Sequence, residues 1–417
     1  MQQVITAKLK LNCTPEQKEK LRAVTLAYRD ALNYTSKLAF EKGKISYAAK
    51  LQKQVYYDIR ERFRLPAQMA CNVPRQVAAI YKNLWMKVER NATHLKSGIT
   101  NKRYKGLDTP PKFIARTCTF SYKRDYSFVK GKASLVTLEG RIKVDYSGYQ
   151  KHLDLIHSGI AKIGTAIICY AETTKTYYLL VSLELELPDI KPEAIKRVVG
   201  VDVGQRYLAV TFDTNNTPGF FSGKSVIHRA NRYYKTKKTL QQKGTRSATR
   251  RLKVLSKRER RFNADINHCI AKRVVIPGSL IGLENITHNR DKIKPIKLKH
   301  EPSKKNCQAH KNKRIWEFTK LHYFIDYKAV LGGALAIRVD ADFTSQSCPR
   351  CGHTSKANRP NNGLDFDCMA CEYKLHADLV GAKNIALRTL LLRQDFERTG
   401  RLSTVPDVSQ DETKTLD

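Results

Sequence analysis

The sequence lacks two features that would direct a protein into or across a membrane. It contains no run of apolar residues long enough to span a bilayer, and its first residues, MQQVITAKLKLN, do not form the apolar core of a secretory signal peptide. We therefore expect a cytoplasmic protein. Because thiols stay reduced in that compartment, the ten cysteines are not expected to form disulfides.

Acidic residues are also scarce. The chain has 38 Asp and Glu against 77 Lys and Arg, which gives a formal net charge of +39 at pH 7. This excess favours a polyanionic partner such as nucleic acid, because so many positive charges repel one another until a polyanion neutralises them. A surface that serves only solubility is the alternative, but the cations are too numerous and too clustered for it. With 417 residues, 41% of them apolar, the chain is long enough for several folded domains.

Four of the cysteines form two C-x2-C pairs, Cys348/Cys351 and Cys368/Cys371, with sixteen residues between the pairs. Each pair is expected to lie on a tight turn, and two such turns can close on one tetrahedral Zn²⁺ ion. Four thiolates leave no open position on the metal. The spacing therefore predicts a structural zinc site and not a catalytic one.

Three carboxylates stand at positions where an unpaired acid is expensive or unusual. Asp202 lies between Val201 and Val203 in an apolar strand, Glu284 ends the strand SLIGLENI, and Asp378 opens a helix just after the cysteines. Any one of them alone is often a turn residue. If they converge, they cannot all stay ionised without cations, and hard oxygen ligands select Mg²⁺ or Mn²⁺. Two such ions can activate a water and stabilise the leaving oxygen of a phosphodiester.

The order of elements around these acids is informative. From Val198 onward the pattern predicts three strands, a helix, a strand, a helix, a strand and a last helix. That order matches a ribonuclease-H-like α/β fold, in which acids from distant segments meet at one edge of the sheet. The sequence therefore predicts one acidic pocket in a very basic protein, which is the charge distribution that a nuclease needs.

The most basic stretch, residues 224–275, predicts one or two long helices broken near Gly244. A solvated charged helix is the alternative interpretation. Clustered cations favour a surface that binds phosphates instead. The candidate nucleic-acid-binding residues are Arg250, Arg251, Lys253, Lys257, Arg258 and Arg261.

The N-terminal half is predicted to contain a strand, a helical region and a β-rich region. Alternation from Gln3 to Leu11 predicts the strand, and Thr14-Pro15-Glu16-Gln17 predicts a capped helix start. From about residue 103 to 188, short strands between turns predict a small β-barrel. Its alternating aromatic and basic residues suit stacked bases and phosphates, although we expect half or more of the aromatics to lie in the barrel core.

Four segments carry a resemblance to a known family. VVGVDVGQRYLAV, LIGLENI, TSQSCPRCG and HADLVGAKNIALR resemble the RuvC motifs and the zinc ribbon of TnpB proteins. These are RNA-guided nucleases of bacterial and archaeal insertion sequences, related to the compact type V CRISPR effectors. The resemblance is specific from about residue 196 to 392 and architectural before that.

The resemblance implies roles for the residues that match its motifs. Asp202, Glu284 and Asp378 would be the catalytic acids and would bind Mg²⁺ or Mn²⁺, and the four cysteines would bind Zn²⁺. Asn384 falls in a D-x-x-x-A-x-N pattern and would support the site, with ordinary hydrogen bonding on the helix surface or in the core as the alternative. Two positions depart from the family: Glu372 replaces the usual Gly after the last cysteine, and Leu364 replaces a frequent Arg.

The resemblance also implies a division of the chain. The expected domains are the first strand of a wedge domain at 1–11, a helical recognition domain at 12–102, an oligonucleotide-binding-like β-barrel of the wedge at 103–190, the first part of RuvC at 196–343 with its basic helices at 224–275, a zinc-ribbon target nucleic-acid-binding domain at 344–375, the last part of RuvC at 376–394, and a disordered tail at 395–417.

The activity implied is RNA-guided cleavage of double-stranded DNA at a single RuvC site, next to a short target-adjacent motif. The partners would be a guide RNA derived from the transposon end and the target DNA, in a monomeric ribonucleoprotein associated with a bacterial or archaeal nucleoid. No membrane partner is expected. Two alternatives remain open: an RNA-guided repressor that does not cut, and a transposase that joins DNA ends.

Overall fold

The computed structural model describes residues 1–172, 174–285, 318–360, 363–400 and 402. The described residues form two compact units. The N-terminal unit is Gln2–Glu186, and the C-terminal unit contains Met1 and the described residues from Leu187 onward. None of the described helices is both long and apolar enough to cross a membrane.

The N-terminal unit contains one seven-stranded antiparallel sheet that is close to a closed barrel. Its strand order is β2-β6-β7-β1-β5-β4-β3, and a bridge between Tyr122 and Tyr126 links the ends of the sheet. The strands are β1 (Gln2–Asn12), β2 (Thr117–Phe120), β3 (Tyr126–Val129), β4 (Lys132–Thr137), β5 (Gly140–Ser147), β6 (Lys162–Ala171) and β7 (Thr176–Glu186).

Alternation of apolar and polar residues explains this sheet. In β7 every second side chain from Tyr177 to Leu185 is buried, and Leu179 pairs with the buried Leu9 of β1. Fewer aromatic side chains are buried than expected: Phe120, Tyr126 and Tyr177 lie in the core, whereas the other rings between residues 103 and 188 stay partly or fully exposed. The short strand β3 and the helix α4 (Gln150–His157) were not predicted, because elements of this length show too little periodicity.

Three helices connect β1 to β2: α1 (Pro15–Glu41), α2 (Ala48–Phe63) and α3 (Ala67–Lys96). The predicted capping box is present at the start of α1. The backbone N–H of Gln17 donates to Oγ1 of Thr14, and the N–H of Thr14 donates to Oε1 of Gln17. Buried apolar side chains on all three helices then hold the region together.

The C-terminal unit contains a five-stranded sheet of order β10-β9-β8-β11-β12. Strands β8, β9 and β10 are antiparallel neighbours, and β8, β11 and β12 run parallel. The elements are β8 (Arg197–Asp202), β9 (Tyr207–Asp213), β10 (Pro218–Ser222), α5 (Lys224–Lys243), α6 (Arg246–Val274), β11 (Ser279–Glu284), α7 (Phe318–Leu331), β12 (Leu335–Val339), and, after a two-stranded hairpin of β13 (Asp365–Asp367) and β14 (Lys374–His376), α8 (Ala377–Thr399).

The basic stretch is two helices that are broken at the predicted place. Gly244 adopts a left-handed conformation with φ of 63°, which ends α5, and Thr245 caps α6 by accepting the backbone N–H of Ala248. Side chains of α6 and α7 share a core with the inner strands, including Ile270, Val274 and Ile325.

Helix α8 packs very closely on the sheet because two glycines lie beneath it. Gly200 of β8 and Gly282 of β11 are paired across the parallel strands. A methyl group at Gly200 would overlap backbone atoms of Ala382 and Ala386, and one at Gly282 would overlap the side chain of Thr389. These glycines therefore let the last helix rest on strands that are distant in sequence.

The start of the predicted disordered tail at residue 395 is wrong, because residues 395–399 are helical. Helix α8 continues to Thr399, because Leu392 and Phe396 lie one turn apart and are both buried in the core beside β8, β11 and β12. Gly400 then ends the helix in a left-handed conformation with φ of 65°. Residues 403–417 of the predicted tail lie outside the described residues, as do 286–317 of the segment 196–343.

Candidate functional site

Two of the candidate acids lie at the same edge of the sheet. Strands β8 and β11 are parallel neighbours, with Val201 paired to Leu283, so the residues that follow, Asp202 and Glu284, end the two strands side by side. Both side chains are partly buried. The parallel pairing therefore brings together carboxylates that are 82 positions apart in the chain.

The third acid, Asp378, lies in the first turn of α8, and this helix packs against Asp202. A Cβ atom added at Gly381 would lie 3.2 Å from both Cγ and Oδ2 of Asp202. One turn separates Gly381 from Asp378 on the helix. The close approach at Gly381 thus places the N-terminal turn of α8, which carries Asp378, next to Asp202 at the end of β8.

The electrostatic environment of Asp202 reflects this convergence. Burial raises its pKa well above the ordinary value, and the negative charges of Glu284 and Asp378 raise it further. The guanidinium of Arg359 and the backbone N–H of Val203 oppose the increase. Asp202 is therefore a carboxylate whose ionised form is poorly stabilised by the protein alone.

Glu284 is held by a neighbouring loop. Burial raises its pKa, whereas a hydrogen bond from Thr344 and the positive charge of Arg388 lower it. The hydroxyl of Thr344 donates to Oε1 at 2.9 Å. Arg388 itself donates to the backbone carbonyls of Asp340 and Asp342, at 2.6 and 2.7 Å, and so fixes the loop that precedes Thr344.

Asn384 contacts this loop rather than the acids. Its side-chain amide is buried and donates to the carbonyls of Thr344 and Ser347, at 2.6 and 2.7 Å. Helix α8 thus carries Asp378 in its first turn and, through Asn384, also holds the loop that orients Glu284. The hydrogen bond to the carbonyl of Thr344 links Asn384 to the residue that donates to Glu284.

The chemistry of the three acids fits a divalent cation. Their carboxylate oxygens are hard ligands, and the negative charges of Glu284 and Asp378 add to the effect of burial on the pKa of Asp202. The positive charge of a metal ion would offset both the desolvation and the repulsion that raise this pKa. Asp202, Glu284 and Asp378 are the residues that would hold it.

The four cysteines of the C-x2-C pairs form one cluster, with all four Sγ atoms within 4.8 Å of one another. This group can hold a metal ion, and four sulfur ligands with this spacing suit Zn²⁺. The pKa of the Cys368 thiol reflects this geometry: burial raises it, but hydrogen bonds from the backbone N–H groups of Ala370 and Cys371 and from neighbouring thiols lower it to about 7. Cys368 is thus the thiol whose ionised form is favoured, whereas burial and the neighbouring thiols raise the pKa of Cys371 to about 12.

The two cysteine turns have the same backbone geometry. The N–H of Gly352 donates to the carbonyl of Cys348, and the N–H of Glu372 donates to that of Cys368 in the same way. Both residues are left-handed, with φ of 76° and 57°. The family departure at Glu372 thus keeps the backbone shape of a glycine turn while placing a side chain where glycine is preferred.

Asn358 joins the two turns and was not singled out from the sequence. Its side chain is fully buried. The amide donates to the carbonyls of Gln346 and His353, at 2.9 and 3.1 Å, and its oxygen accepts the N–H of Met369 at 3.1 Å. Since His353 follows the first pair and Met369 lies within the second, this one side chain holds the two turns in register.

Sequence reasoning missed four residues that shape the acidic site or the cysteine cluster. Thr344 and Asn358 are polar residues in the long segment around the cysteines, and their type alone does not distinguish them from loop residues. Arg388 and Arg359 are two among 77 basic residues, so composition hides them. Thr344 and Arg388 had one signal, because they lie at the ends of TSQSCPRCG and HADLVGAKNIALR, two segments that carry the resemblance.

The six candidate nucleic-acid-binding residues lie together on α6, and every one of them is exposed. Within the described residues none of them forms an ion pair with an acid. The neighbouring Glu259 instead pairs with Lys237 of α5. The six cations therefore remain available to an external polyanion.

Comparison with protein-family models identifies one matching domain. Residues 318–385 match the Cas12f1-like TNB domain. This range begins at the first described residue of α7, includes β12 and the cysteine cluster, and ends in the N-terminal half of α8. It therefore contains Thr344, Asn358, Asp378 and Asn384.

Curated relatives carry the names of two related groups. The chain is 24% identical over 253 residues to the CRISPR-associated endodeoxyribonuclease Cas12f1 of Sulfoacidibacillus thermotolerans, a match that covers 56% of each chain. It is 24% identical over 275 residues to a TnpB-like protein of Methanocaldococcus jannaschii, covering 62% of this chain and 91% of the relative. The chain thus spans about half the length of the Cas12f relatives that it matches.

Solved structures show the same fold over almost the whole chain. A Cas12f1 protein, solved by cryo-electron microscopy in a complex with sgRNA and target DNA, aligns with a TM-score of 0.52 at 12% identity, covering 93% of this chain and 98% of that one. At this identity the alignment shows the fold alone. The family model and the curated relatives agree with the motifs: the chain is similar to TnpB-like and Cas12f proteins.

Proposed function

We propose that the protein is an RNA-guided DNA endonuclease that cuts double-stranded DNA at one acidic site. The observation that carries this proposal is the approach of Glu284 and Asp378 to Asp202. Burial raises the pKa of Asp202 and the negative charges of the other two acids raise it further, so a cation is needed to stabilise its ionised form. The named endodeoxyribonuclease relatives support the same reaction class.

The topology of the C-terminal unit supports a ribonuclease-H-like RuvC domain. Its sheet order, β10-β9-β8-β11-β12, has three antiparallel strands followed by two parallel ones, with helices between the later strands. In such a sheet the acids from β8, β11 and the last helix reach one edge. Residues 196–343 and 376–394 are the proposed parts of this domain.

The chemistry assigned to the acids is hydrolysis of a phosphodiester with two metal ions. Mg²⁺ or Mn²⁺ bound there would activate a water and stabilise the leaving oxygen. The chain's own contribution is positioning: Thr344 fixes Oε1 of Glu284, Gly381 allows α8 to approach Asp202, and Arg359 places a positive charge beside Asp202. That charge is suited to attract the phosphate of a substrate strand.

The cysteine cluster is proposed to be a structural zinc ribbon within a target nucleic-acid-binding domain at 344–375. Four thiolate ligands leave no position for substrate, so the metal would stabilise the loop and not react. Cys368→Ser should reduce bound zinc, measured by metal analysis of the purified protein, and should weaken cutting. An unchanged zinc content would overturn the assignment.

The partners proposed are a guide RNA and the target DNA. The exposed cations of α6 and the net charge of +39 support extensive phosphate binding, which should weaken steeply with salt. A surface of this kind, dominated by contacts to phosphates, fits a protein in which base pairing with a guide reads the target sequence. The N-terminal unit, with its helical region and barrel, is the proposed place for reading a target-adjacent motif.

The decisive experiment isolates the protein with its native RNA. The chain is expressed from its own locus and purified, the RNA that accompanies it is sequenced, and the complex is given a matched duplex with Mg²⁺. Expected results are one discrete RNA and cutting that depends on the match. Asp202→Ala should abolish cutting and leave RNA and DNA binding intact.

The alternatives give different results in the same experiment. A guided repressor would bring down a discrete RNA and bind the matched duplex without cutting it, and Glu284→Ala would change nothing measurable. A transposase would join DNA ends without any specific RNA. Either result would overturn the nuclease proposal.

A further inference from the structure

Phe343 adopts a backbone conformation that large residues avoid. Its φ is 62°, in the left-handed region, where the Cβ atom of any residue other than glycine is crowded. Asparagine and glycine are the residues that usually occupy such positions. A phenylalanine there is a source of strain that needs an explanation.

Packing does not provide that explanation. The Phe343 side chain is 57% exposed, and within the described residues it contacts no other aromatic ring. A phenylalanine normally compensates for local strain by burying its ring, and this one leaves most of its apolar surface in solvent. The protein therefore holds a strained aromatic residue without using it in the core.

The surrounding loop keeps this conformation in place from both sides. The carbonyl of Phe343 accepts hydrogen bonds from the backbone N–H groups of Gln346 and Ser347, at 2.9 and 3.0 Å, and from Oγ of Ser347 at 3.1 Å. On the preceding side Arg388 donates to the carbonyl of Asp342, and on the following side Asn384 donates to that of Thr344. The ring thus projects from a backbone that is fixed at each neighbouring residue.

This fixed ring lies next to the acidic site in the chain. Thr344, the following residue, donates its hydroxyl to Oε1 of Glu284. Consecutive Cα atoms are about 3.8 Å apart, so the backbone of Phe343 is close to a carboxylate proposed to act on a phosphodiester. A base attached to a nearby nucleotide of the same strand is within reach of an exposed ring there.

We propose that Phe343 is a stacking platform for one base of the substrate strand beside the bond that is cut. Stacking on a fixed ring would hold the phosphodiester in register with the acids, and it explains why the loop keeps a strained and exposed aromatic residue. Phe343 is thus a positioning residue that touches the substrate strand. This proposal rests on the nuclease function proposed above.

The first test separates the ring from the backbone strain. Phe343→Asn favours the left-handed conformation but removes the ring, and Phe343→Tyr keeps the ring. For the guided complex cutting a matched duplex, Phe343→Asn should raise the temperature of unfolding and lower the cutting rate by about 5- to 150-fold, the range for one lost stacked base. Phe343→Tyr should cut nearly as fast as the wild type.

A second test reads stacking without cutting. Target duplexes carry 5-iododeoxyuridine at one position at a time, and each is irradiated in the Asp202→Ala complex. We expect one position to cross-link to the peptide that contains Phe343, and Phe343→Asn to abolish this product. Tyr323→Ala is the matched control, because it removes an exposed ring, 61% exposed, from helix α7, which carries none of the three acids.

The two proposals can fail separately. If the wild type does not cut but the cross-link forms at Phe343, the nuclease proposal fails and the stacking contact stands. If the wild type cuts, Phe343→Asn cuts equally fast and no cross-link forms, the stacking proposal fails alone. If Tyr323→Ala loses as much cutting as Phe343→Asn, the stacking proposal is also overturned.

Discussion

The hydroxyl of Thr344 donates a 2.9 Å hydrogen bond to Oε1 of Glu284, while its carbonyl accepts a 2.6 Å bond from Asn384. One loop residue thus connects the end of β11 to helix α8. Because Asp378 opens the same helix, the position of Glu284 relative to Asp378 depends on Thr344.

We expect Thr344→Val to lower the cutting rate by about 10- to 100-fold, the range for residues that orient metal ligands. Valine keeps the shape but loses the hydroxyl that fixes Oε1. Thr344→Ser restores a hydroxyl and should recover most of the rate. The measurement is single-turnover cutting by the guided complex at saturating Mg²⁺. Equal rates for Thr344→Val and the wild type would show that the bond has no functional role.

The crowded acids predict a pH-dependent effect on stability without metal. The pKa of Asp202 is raised in the folded protein, so its ionised form destabilises the fold, and stability is lost as pH rises through the folded pKa. In the presence of EDTA at neutral pH, Asp202→Asn should therefore unfold at a higher temperature than the wild type. The advantage should disappear below the ordinary carboxylate pKa, where Asp202 is protonated in both states.

Added Mg²⁺ should reverse this difference, because the wild type gains a ligand that the variant binds poorly. The check is thermal unfolding with EDTA and with Mg²⁺ at acidic and neutral pH. An Asp202→Asn protein that is no more stable than the wild type in EDTA at neutral pH would contradict the crowding of the acids.

The glycine contact between the sheet and α8 predicts a severe effect at Gly200. A methyl group there would overlap backbone atoms of Ala382 and Ala386, and backbone cannot move as a flexible side chain does. We expect Gly200→Ala to cost about 1–3 kcal/mol or more and to displace the helix that carries Asp378. The cutting rate of this variant should fall together with its free energy of unfolding.

Gly164→Ala is the control for this substitution. A methyl group at Gly164 would meet Ser182 at 3.5 Å, which is ordinary contact, so little change is expected. Chemical denaturation and cutting rates of the two variants provide the comparison. Similar stabilities for Gly200→Ala and Gly164→Ala would show that α8 does not depend on the close approach.

The hydrogen bonds of Asn358 are expected to affect how tightly the two cysteine turns hold their metal ion. Asn358→Ala would leave the carbonyls of Gln346 and His353 and the N–H of Met369 without their partner, at a cost of about 1–3 kcal/mol for each buried group left unpaired. Zinc should be transferred faster to a colorimetric chelator. Asn358→Asp keeps an acceptor for the N–H of Met369 but loses the donors to both carbonyls. Its zinc should also transfer faster than that of the wild type. Transfer at the wild-type rate by both variants would exclude this role.

The left-handed residue after each cysteine pair predicts opposite effects on zinc retention for two opposite substitutions. Glu372→Gly removes a strain of about 1–2 kcal/mol, offset partly by about 0.4–1 kcal/mol from the freer unfolded chain, so a small gain in zinc retention is expected. Gly352→Glu introduces the same strain in the first turn and should reduce retention. Competition with a chelator measures both. A gain from Gly352→Glu would refute the argument.

The sequence by itself was sufficient for several features because each depends on residue type and spacing. Two C-x2-C pairs need only four thiols on two turns, and the structure brings all four sulfur atoms together. The acids Asp202 and Glu284 were visible because a carboxylate at the end of an apolar strand is conspicuous. The excess of positive charge follows from composition alone.

The tertiary structure decided how these features meet, because contacts between distant segments leave no periodic signal. Pairing of Gly200 with Gly282 lets α8 approach the strands, and no local pattern shows that these glycines are neighbours. Nothing in the sequence distinguishes Asn358 from other polar loop residues until its partners are known. The sequence determined which groups are available, and the packing of one helix on two parallel strands decided which of them form a site.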